Sequence, residues 1–469
     1  MGESVSSASV ASSSEPIANS GSYGEAPSPD VLGGADNRRE LAARLLTRLF
    51  AHYNGIISLR LWTGASFRVG GGAPDAPEPR YTLVLHSPET VAALVLGRDP
   101  LRFADLYFRG ELDIEGDFFD ALELRRHLSS MRLPLGERIR CALAALHLRA
   151  LGGPRADSQE RAAALAAKRV KSHSRSENDQ AIQFHYDLSN EFYGLWLDKA
   201  MVYSCAYFEE ATVDLDRAQT AKLEHICRKL MLEPGERLLD VGCGWGALLI
   251  HAAKHYGVRA HGITLSQKQL ELARERISRA GLGAQVTVEK LDYRDLAGDS
   301  VFDKAVSVGM FEHVGLKNLP VYFSTIHRVL KPGGLFLNHG ITHDVEGWDE
   351  SVSTEFINRY VFPDGQLDTV GNIQCFMERA RFEIADVESL RPHYALTLRH
   401  WASALERRHM EALQHVSEAT YRVWRLYMSC CALDFEAGEI NIYQILAAKR
   451  AAMGAALPLT RRHLYDRPP

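Results

Sequence analysis

An apolar run that ends in a carboxylate and three alternating glycines, Leu238-Leu239-Asp240-Val241-Gly242-Cys243-Gly244-Trp245-Gly246, constrains this chain more than any other stretch. The run suits a short buried strand. Glycines let the backbone turn sharply and approach a ligand closely before a helix opens, and a helix N-terminus favours a carboxylate or phosphate. Dinucleotide-binding enzymes use related loops, but their spacing is Gly-x-Gly-x-x-Gly. Here it is Gly-x-Gly-x-Gly, and Asp240 at the strand end can pair with the amino group of an amino-acid ligand. S-adenosylmethionine carries such an amino acid, whereas a nicotinamide dinucleotide does not.

The residues that follow repeat the pattern. Ala247 to Tyr256 reads as a helix, Val258 to Ile263 as a strand and Gln267 to Ala280 as a second helix, with further strands at Val286 to Glu289, Phe302 to Val308 and Leu335 to Asn338. Such β-α-β-α order predicts a doubly wound α/β sheet. Leu330-Lys331-Pro332-Gly333-Gly334 is a turn into the last of these strands. The second strand ends in Gly262-Ile263-Thr264-Leu265-Ser266 and lacks the acidic residue that holds ribose hydroxyls in many nucleotide-binding folds. The third ends near Asp292-Tyr293, a carboxylate and a ring suited to the amino group and face of adenine. Final strands are expected near Ile440 to Ala448. The stretch from Gly340 to about Arg425, with Trp348, Phe356, Tyr360, Phe362 and Phe376, predicts a helical cover over an apolar tunnel.

The first third of the chain has a different character. An amphipathic pattern opens at Arg38 with Leu41, Leu45, Leu46, Leu49 and Phe50 on one face, and short strands follow at Phe67 to Val69 and Tyr81 to Leu85. The run Phe103 to Phe119 suits a small mixed α/β unit. Four parts result: a disordered tail over residues 1–37, a lipid-binding N-terminal domain over 38–153, a basic linker over 154–178 and the sheet domain over 179–469. With 469 residues and 46% apolar composition, two buried cores are within reach. The tail lacks the basic start and apolar centre of a signal peptide.

Charge and cysteine usage narrow the function classes. The formal net charge of -5 gives no general attraction to nucleic acid. Between Arg132 and Arg175, however, ten Lys/Arg face three Asp/Glu. The basic amphipathic pattern from Met131 to Leu151 is open to two readings, a solvated helix face or a membrane-surface helix. No run approaches the about twenty apolar residues of a membrane-spanning helix. The seven cysteines form no C-x-x-C pair or Cys/His cluster, so neither a disulfide framework nor a metal site is expected, and a cytoplasmic setting fits.

Several separate segments resemble one family, the cyclopropane-fatty-acyl-phospholipid synthases and the related mycolic acid cyclopropane synthases. They are Phe184-His185-Tyr186-Asp187-Leu188, Tyr203-Ser204-Cys205-Ala206-Tyr207-Phe208, the glycine loop, Gly262 to Ser266, Met310-Phe311-Glu312-His313-Val314-Gly315, His339-Gly340-Ile341, Phe362-Pro363-Asp364-Gly365 and Arg391-Pro392-His393-Tyr394. Together they span roughly Asp179 to Lys449. The resemblance implies a Rossmann-like class I methyltransferase domain, with S-adenosylmethionine held by Tyr203, Ser204, Asp240, Gly242, Gly244, Gly246, Thr264, Leu265, Ser266, Gln269, Asp292 and Tyr293. It also implies bicarbonate as the base, at Cys205, Glu312, His339, the backbone of Ile341, and Tyr394. Cys431 matches a cysteine that descriptions of the family have called catalytic, although methyl transfer to an alkene requires no thioether intermediate.

The implied reaction explains these residue types. An isolated alkene is a weak nucleophile, so it must be held against a sulfonium methyl in a dry pocket, where aromatic faces stabilise the resulting cation. The new methyl must then lose a proton so that the ring closes, which demands a sheltered general base. His339 and Tyr394 can donate hydrogen bonds to a small oxyanion, Glu312 can accept its hydroxyl, and Cys205 adds a weak donor. The N-terminal domain looks like that of the bacterial phospholipid-acting members, which implies an unsaturated phospholipid substrate and a peripheral position on the inner face of the cytoplasmic membrane. Members of the family often look dimeric. Loss of a different proton would give a methylene- or methyl-branched chain. A small-molecule methyltransferase and a catalytically dead lipid-binding protein are the remaining alternatives.

Overall fold

The computed structural model describes residues 34–71, 78–97, 100–130, 134–150, 188–348, 352–362, 365–452 and 457–465. Residues 1–33 of the expected tail, the linker over 154–178, Arg132 and the motif residues Phe184 to Asp187, Pro363 and Asp364 lie outside them.

The N-terminal unit begins with α1 (Gly34–Leu49), four residues ahead of the expected start, followed by β1 (Ile57–Leu61), β2 (Ser66–Val69) and β3 (Tyr81–Leu85). Then come α2 (Pro88–Gly97), α3 (Pro100–Phe108), β4 (Leu112–Gly116), α4 (Phe118–Leu122), α5 (Leu124–Ser130) and α6 (Leu135–Ala150). Its four strands pair in the order β2-β1-β3-β4, with β1 and β3 parallel. Alternate side chains of β1, Ile57, Leu59 and Leu61, point into the core, as the two-residue period of a strand dictates.

The second unit opens with α7 (Asn190–Gly194) and α8 (Leu215–Lys229). It continues through β5 (Arg237–Val241), α9 (Ala247–Tyr256), β6 (Arg259–Thr264), α10 (Gln267–Arg279), β7 (Val286–Lys290), β8 (Phe302–Val308), α11 (Leu319–Val329) and β9 (Leu330–His343). Next are α12 (Val352–Tyr360), α13 (Val370–Arg379), β10 (Phe382–Ser389), α14 (Arg391–Arg407), α15 (His409–Ala412), α16 (Glu418–Ala437), β11 (Ile440–Lys449) and α17 (Arg462–Tyr465). Seven strands form one sheet in the order β10-β11-β9-β8-β5-β6-β7. β5 to β9 run parallel, and β11 lies antiparallel between β9 and β10. Order reverses beside β5, which places the carboxyl ends of β5 and β8 at the crevice where doubly wound sheets bind ligands.

Two details differ from the sequence reading. β10 lies inside the stretch expected to be wholly helical, so the cover is built from α12, α14, α15 and α16 while α13 returns to the sheet. β9 is also longer than expected: Phe302 pairs with Leu330 and Lys304 with Leu335, so Lys331 to Gly334 bulge out between two paired segments. His339 is therefore inside a strand and not beyond its end.

Two apolar clusters fill the faces of the seven-stranded sheet, one beneath α8, α9 and α10 and the other beneath α11 and α13. Buried residues of α1, α2, α3 and β1 share a single continuous core with Trp196, Trp401, Trp424 and Phe435 of the cover. Phe108 of α3 packs on Phe356 and Tyr360 of α12, with ring centroids 6.2 and 5.0 Å apart. Arg422 of α16 reaches Asp113 at 2.6 Å and donates to the Tyr107 carbonyl at 2.9 Å. Among the described residues no helix is long and apolar enough to cross a membrane.

Candidate active site

The glycine loop turns as its composition requires. Gly242, Gly244 and Gly246 have φ of 87°, 53° and 81°, the left-handed region in which a side chain is strained. The amides of Gly242 and Cys243 both donate to the Ile263 carbonyl, tying the loop to the tip of β6. Around it lies a cavity lined by Tyr203, Ser204, Asp240, Gly242, Gly244, Thr264, Leu265, Gln269, Asp292 and Tyr293, ten of the twelve residues expected to hold the cofactor. Gly246 and Ser266 are the exceptions. Gly246 caps α9 against Ala273, and Ser266 caps α10 by accepting from the Gln269 amide, so both shape the cavity without lining it.

Side chains of neighbouring elements fix the other walls. Thr264 donates to Gln269 at 2.8 Å, and Asp292 accepts from the backbone and the guanidinium of Arg294, so the Asp292 carboxylate is already engaged. The segment Tyr203 to Phe208 is pinned from both sides. Gln219 of α8 donates to the carbonyls of Val202 and Ser204, while the Ala206 amide donates to Thr397 and the Phe208 amide to His393, both on α14.

Lys222 also lines this cavity, and the sequence reading missed it. Its ammonium donates to Ser204 Oγ at 2.9 Å, and burial pushes its pKa down to about 8 against the pull of Asp198 and Asp240. Burial pushes Asp240 up to about 7. A buried cation and a buried carboxylate thus flank one cavity, a pair that matches the two charges of an amino-acid zwitterion. Lys222, His225 and Lys229 all lie on the buried face of α8, and polar residues at helical spacing on an otherwise apolar face were the available signal.

A second cavity, of about 420 Å³, adjoins the first and shares Tyr203, Ser204, Val308, Gly309 and His313 with it. Cys205, Glu312, His339, Ile341, Tyr394 and Cys431 all line it, so the fold gathers every residue expected at the catalytic centre. Trp348, Phe362 and Tyr427 contribute aromatic faces; Phe356 and Tyr360 instead meet the N-terminal unit, and Phe376 packs against the sheet.

Glu312 sits on a 3-10 turn just after β8, and His339 pairs in register with Val308. Glu312 Oε1 accepts from the Ile341 amide at 2.8 Å, so that backbone donor holds the carboxylate. Oε2 is buried without a partner among the described residues, and burial raises the pKa of the group. Gln444 Nε2 lies 3.2 Å from His339 Nδ1; in that amide orientation Nδ1 accepts and the proton is on Nε2, which is buried without a partner among the described residues. Burial keeps this imidazole neutral. Gly340 between them admits no side chain, since a Cβ would fall 1.9 Å from the Phe311 ring.

The thiols of Cys205 and Cys431 are both pushed up by burial, and Cys205 Sγ contacts the carbonyls of Ala206 and Leu390. Neither is poised as a thiolate nucleophile. Behind the cavity Tyr193, Trp196, Tyr203, Trp401 and Trp424 form a cluster of rings 5.1 to 6.1 Å apart that includes Trp245 of the glycine loop. Of those aromatics, Tyr203 is the one the sequence placed at the site.

A mostly parallel seven-stranded sheet with one reversed strand, a glycine turn at the tip of β5 and charges suited to an amino acid define a class I S-adenosylmethionine-dependent methyltransferase. The family model described as mycolic acid cyclopropane synthetase matches residues 173–445, and the chain belongs to that family. It is similar to a probable fatty acid methyltransferase of Pseudomonas putida, 42% identical over 412 residues, 87% of this chain and 96% of that one. The cyclopropane-fatty-acyl-phospholipid synthase of Escherichia coli strain K12 is 40% identical over 275 residues, 58% of this chain and 68% of the relative. The crystal structure of mycolic acid cyclopropane synthase CmaA1 complexed with SAH and CTAB superposes with a TM-score of 0.55 at 35% identity, over 58% of this chain and 98% of that chain.

Proposed function

We infer that the protein transfers a methyl group from S-adenosylmethionine to a cis double bond in an unsaturated phospholipid acyl chain and that the product is a cyclopropane ring. The observation that carries this reading is the pair of buried atoms, Glu312 Oε2 and His339 Nε2, that find no partner among the described residues, on the wall of a cavity that adjoins the cofactor cavity. One is an acceptor and the other a donor, and burying either without a partner is costly. A small protonated oxyanion satisfies both, so these residues suit bicarbonate. Bound there, bicarbonate would supply a proton acceptor inside a water-poor pocket.

The chain's own groups do the rest. Glu312, held by the Ile341 amide, would accept a hydrogen bond from the hydroxyl of the bound base; neutral His339 and Tyr394 would donate hydrogen bonds to it. Tyr203, Tyr427 and Phe362 surround the alkene with ring faces that favour a cation and exclude water. The likeness to the Pseudomonas probable fatty acid methyltransferase, which covers 87% of this chain, favours a second reading in which methyl transfer ends in a methylene- or methyl-branched chain.

The membrane enters through α6. Cys141, Ala145 and Leu148 face the core, while Leu135, Ile139, Leu143 and Leu146 are 51 to 71% exposed on the opposite face, flanked by Arg138, Arg140 and Arg149. An exposed apolar stripe edged with arginines suits an anionic bilayer surface at which the substrate resides.

The test is radiolabelled methyl transfer from S-adenosylmethionine to vesicles of unsaturated phospholipid, with free fatty acid and small amines as competing acceptors and NMR of the isolated acyl chains. Ring-proton signals on phospholipid chains are expected. Exclusive methylene signals would establish the branched product, and labelling of the soluble acceptors alone would overturn the lipid reading.

A further inference from the structure

A third cavity lies at the seam between the N-terminal unit and the cover. Phe103, Ala104 and Leu128 form its N-terminal wall, and Phe356, Leu426 and Cys430 face them. Ile357, Cys431 and Asp434 belong to the walls of both this cavity and the reaction cavity, so they form the common boundary. We propose that the seam cavity receives the methyl-terminal segment of the acyl chain, beyond the reacting double bond, and that the N-terminal unit thereby sets which double-bond positions react.

Chemistry gives the direction of entry. Among the described residues, Arg125 and Asp434 are the only charged ones on the seam wall, and they pair with each other, so the described wall offers no free charge to a headgroup. The reaction cavity has a polar side instead, with His343 and Asp344 on its wall. A lipid lying through both cavities therefore keeps its ester end on that polar side and its hydrocarbon end in the seam. Burial of methylenes in an apolar cavity is favourable, so a preformed slot favours a chain of matching distal length. The N-terminal wall also lies outside residues 173–445, so the subsite is an addition to the part of the fold shared across the family.

This inference rests on the lipid reading above, and one experiment separates the two. Vesicles are prepared from phospholipids with cis-monoene chains of equal length whose double bond stands at increasing distance from the methyl end. Ala104→Phe and Leu128→Trp narrow the seam; Leu101→Trp, at a partly exposed seam position, narrows it with less burden on folding. Wild-type protein is expected to act on short and long distal segments. The narrowed variants should lose about tenfold or more in kcat/KM for each methylene they exclude while short distal segments keep their rate. Unchanged selectivity in all folded variants, or an equal loss on every substrate, would overturn the seam subsite alone. Wild-type protein that binds S-adenosylhomocysteine yet methylates no lipid alkene would overturn the lipid reading itself.

Discussion

Replacing Gly340 with alanine tests the site with a single methyl group. The new Cβ would stand 1.9 Å from Phe311 Cε1 and 2.9 Å from Glu312 Oε1. The Phe311 ring is 3% exposed and cannot swing away, so the 3-10 turn that carries both residues must shift. Overpacking of this kind costs about 1–3 kcal/mol of stability. The shift also pulls Glu312 from the Ile341 amide, and a hydrogen bond to a charged group is worth about 1.5–3 kcal/mol. If that bond is lost where the proton is handled, kcat falls roughly ten- to hundredfold. Gly340 does not line the cofactor cavity, so affinity for S-adenosylhomocysteine should stay at the wild-type value. Initial rates, calorimetric titration and thermal unfolding on one preparation separate the three effects. A Gly340→Ala protein with wild-type kcat would refute the claim that Glu312 must be held where it is.

Other outcomes follow from the same geometry. Affinity for S-adenosylhomocysteine should fall below about pH 7, where Asp240 takes up a proton and no longer pairs with the ligand ammonium, and again above about pH 8, where Lys222 loses the charge that meets the carboxylate; calorimetric titration across this range should trace a maximum, and a flat profile contradicts the assignment. Arg125→Met strands Asp434 and should destabilise the protein by less than the about 3–5 kcal/mol of a fully buried pair, while adding Asp434→Leu should recover most of the loss in denaturant unfolding. Ile139→Glu combined with Leu143→Glu should leave the melting temperature unchanged, because both positions are exposed, yet abolish co-sedimentation with anionic vesicles.

The parallel half of the sheet was legible because β5 is a short apolar run, and β6 and β8 are short segments with apolar residues at or beside their ends, bounded by turn or helix signals. β10 was not. Its residues Ile384, Asp386 and Val387 sit on an edge strand of mostly intermediate burial, so Phe382 to Ser389 shows no clean alternation. Glu312 and His339 stand 27 positions apart in the chain and carry no local mark of their role; only the family resemblance selected them before the register of β8 and β9 brought them to one wall. Lys222 was hidden for the opposite reason, since a lysine in a helix reads as solvated until packing buries it. The seam cavity lay beyond sequence reasoning altogether, because Leu128 and Leu426 meet only through the folded chain.

The core that runs unbroken from α1 through Phe108 to Trp401 and Trp424 has a consequence for how such proteins diversify. The N-terminal half shares its interior with the cover, so heat should melt the two in one cooperative step. Chimeras that join the front of one relative to the back of another would meet at mismatched side chains. Variation in acyl preference must then arise by paired changes across this boundary and not by exchange of whole modules.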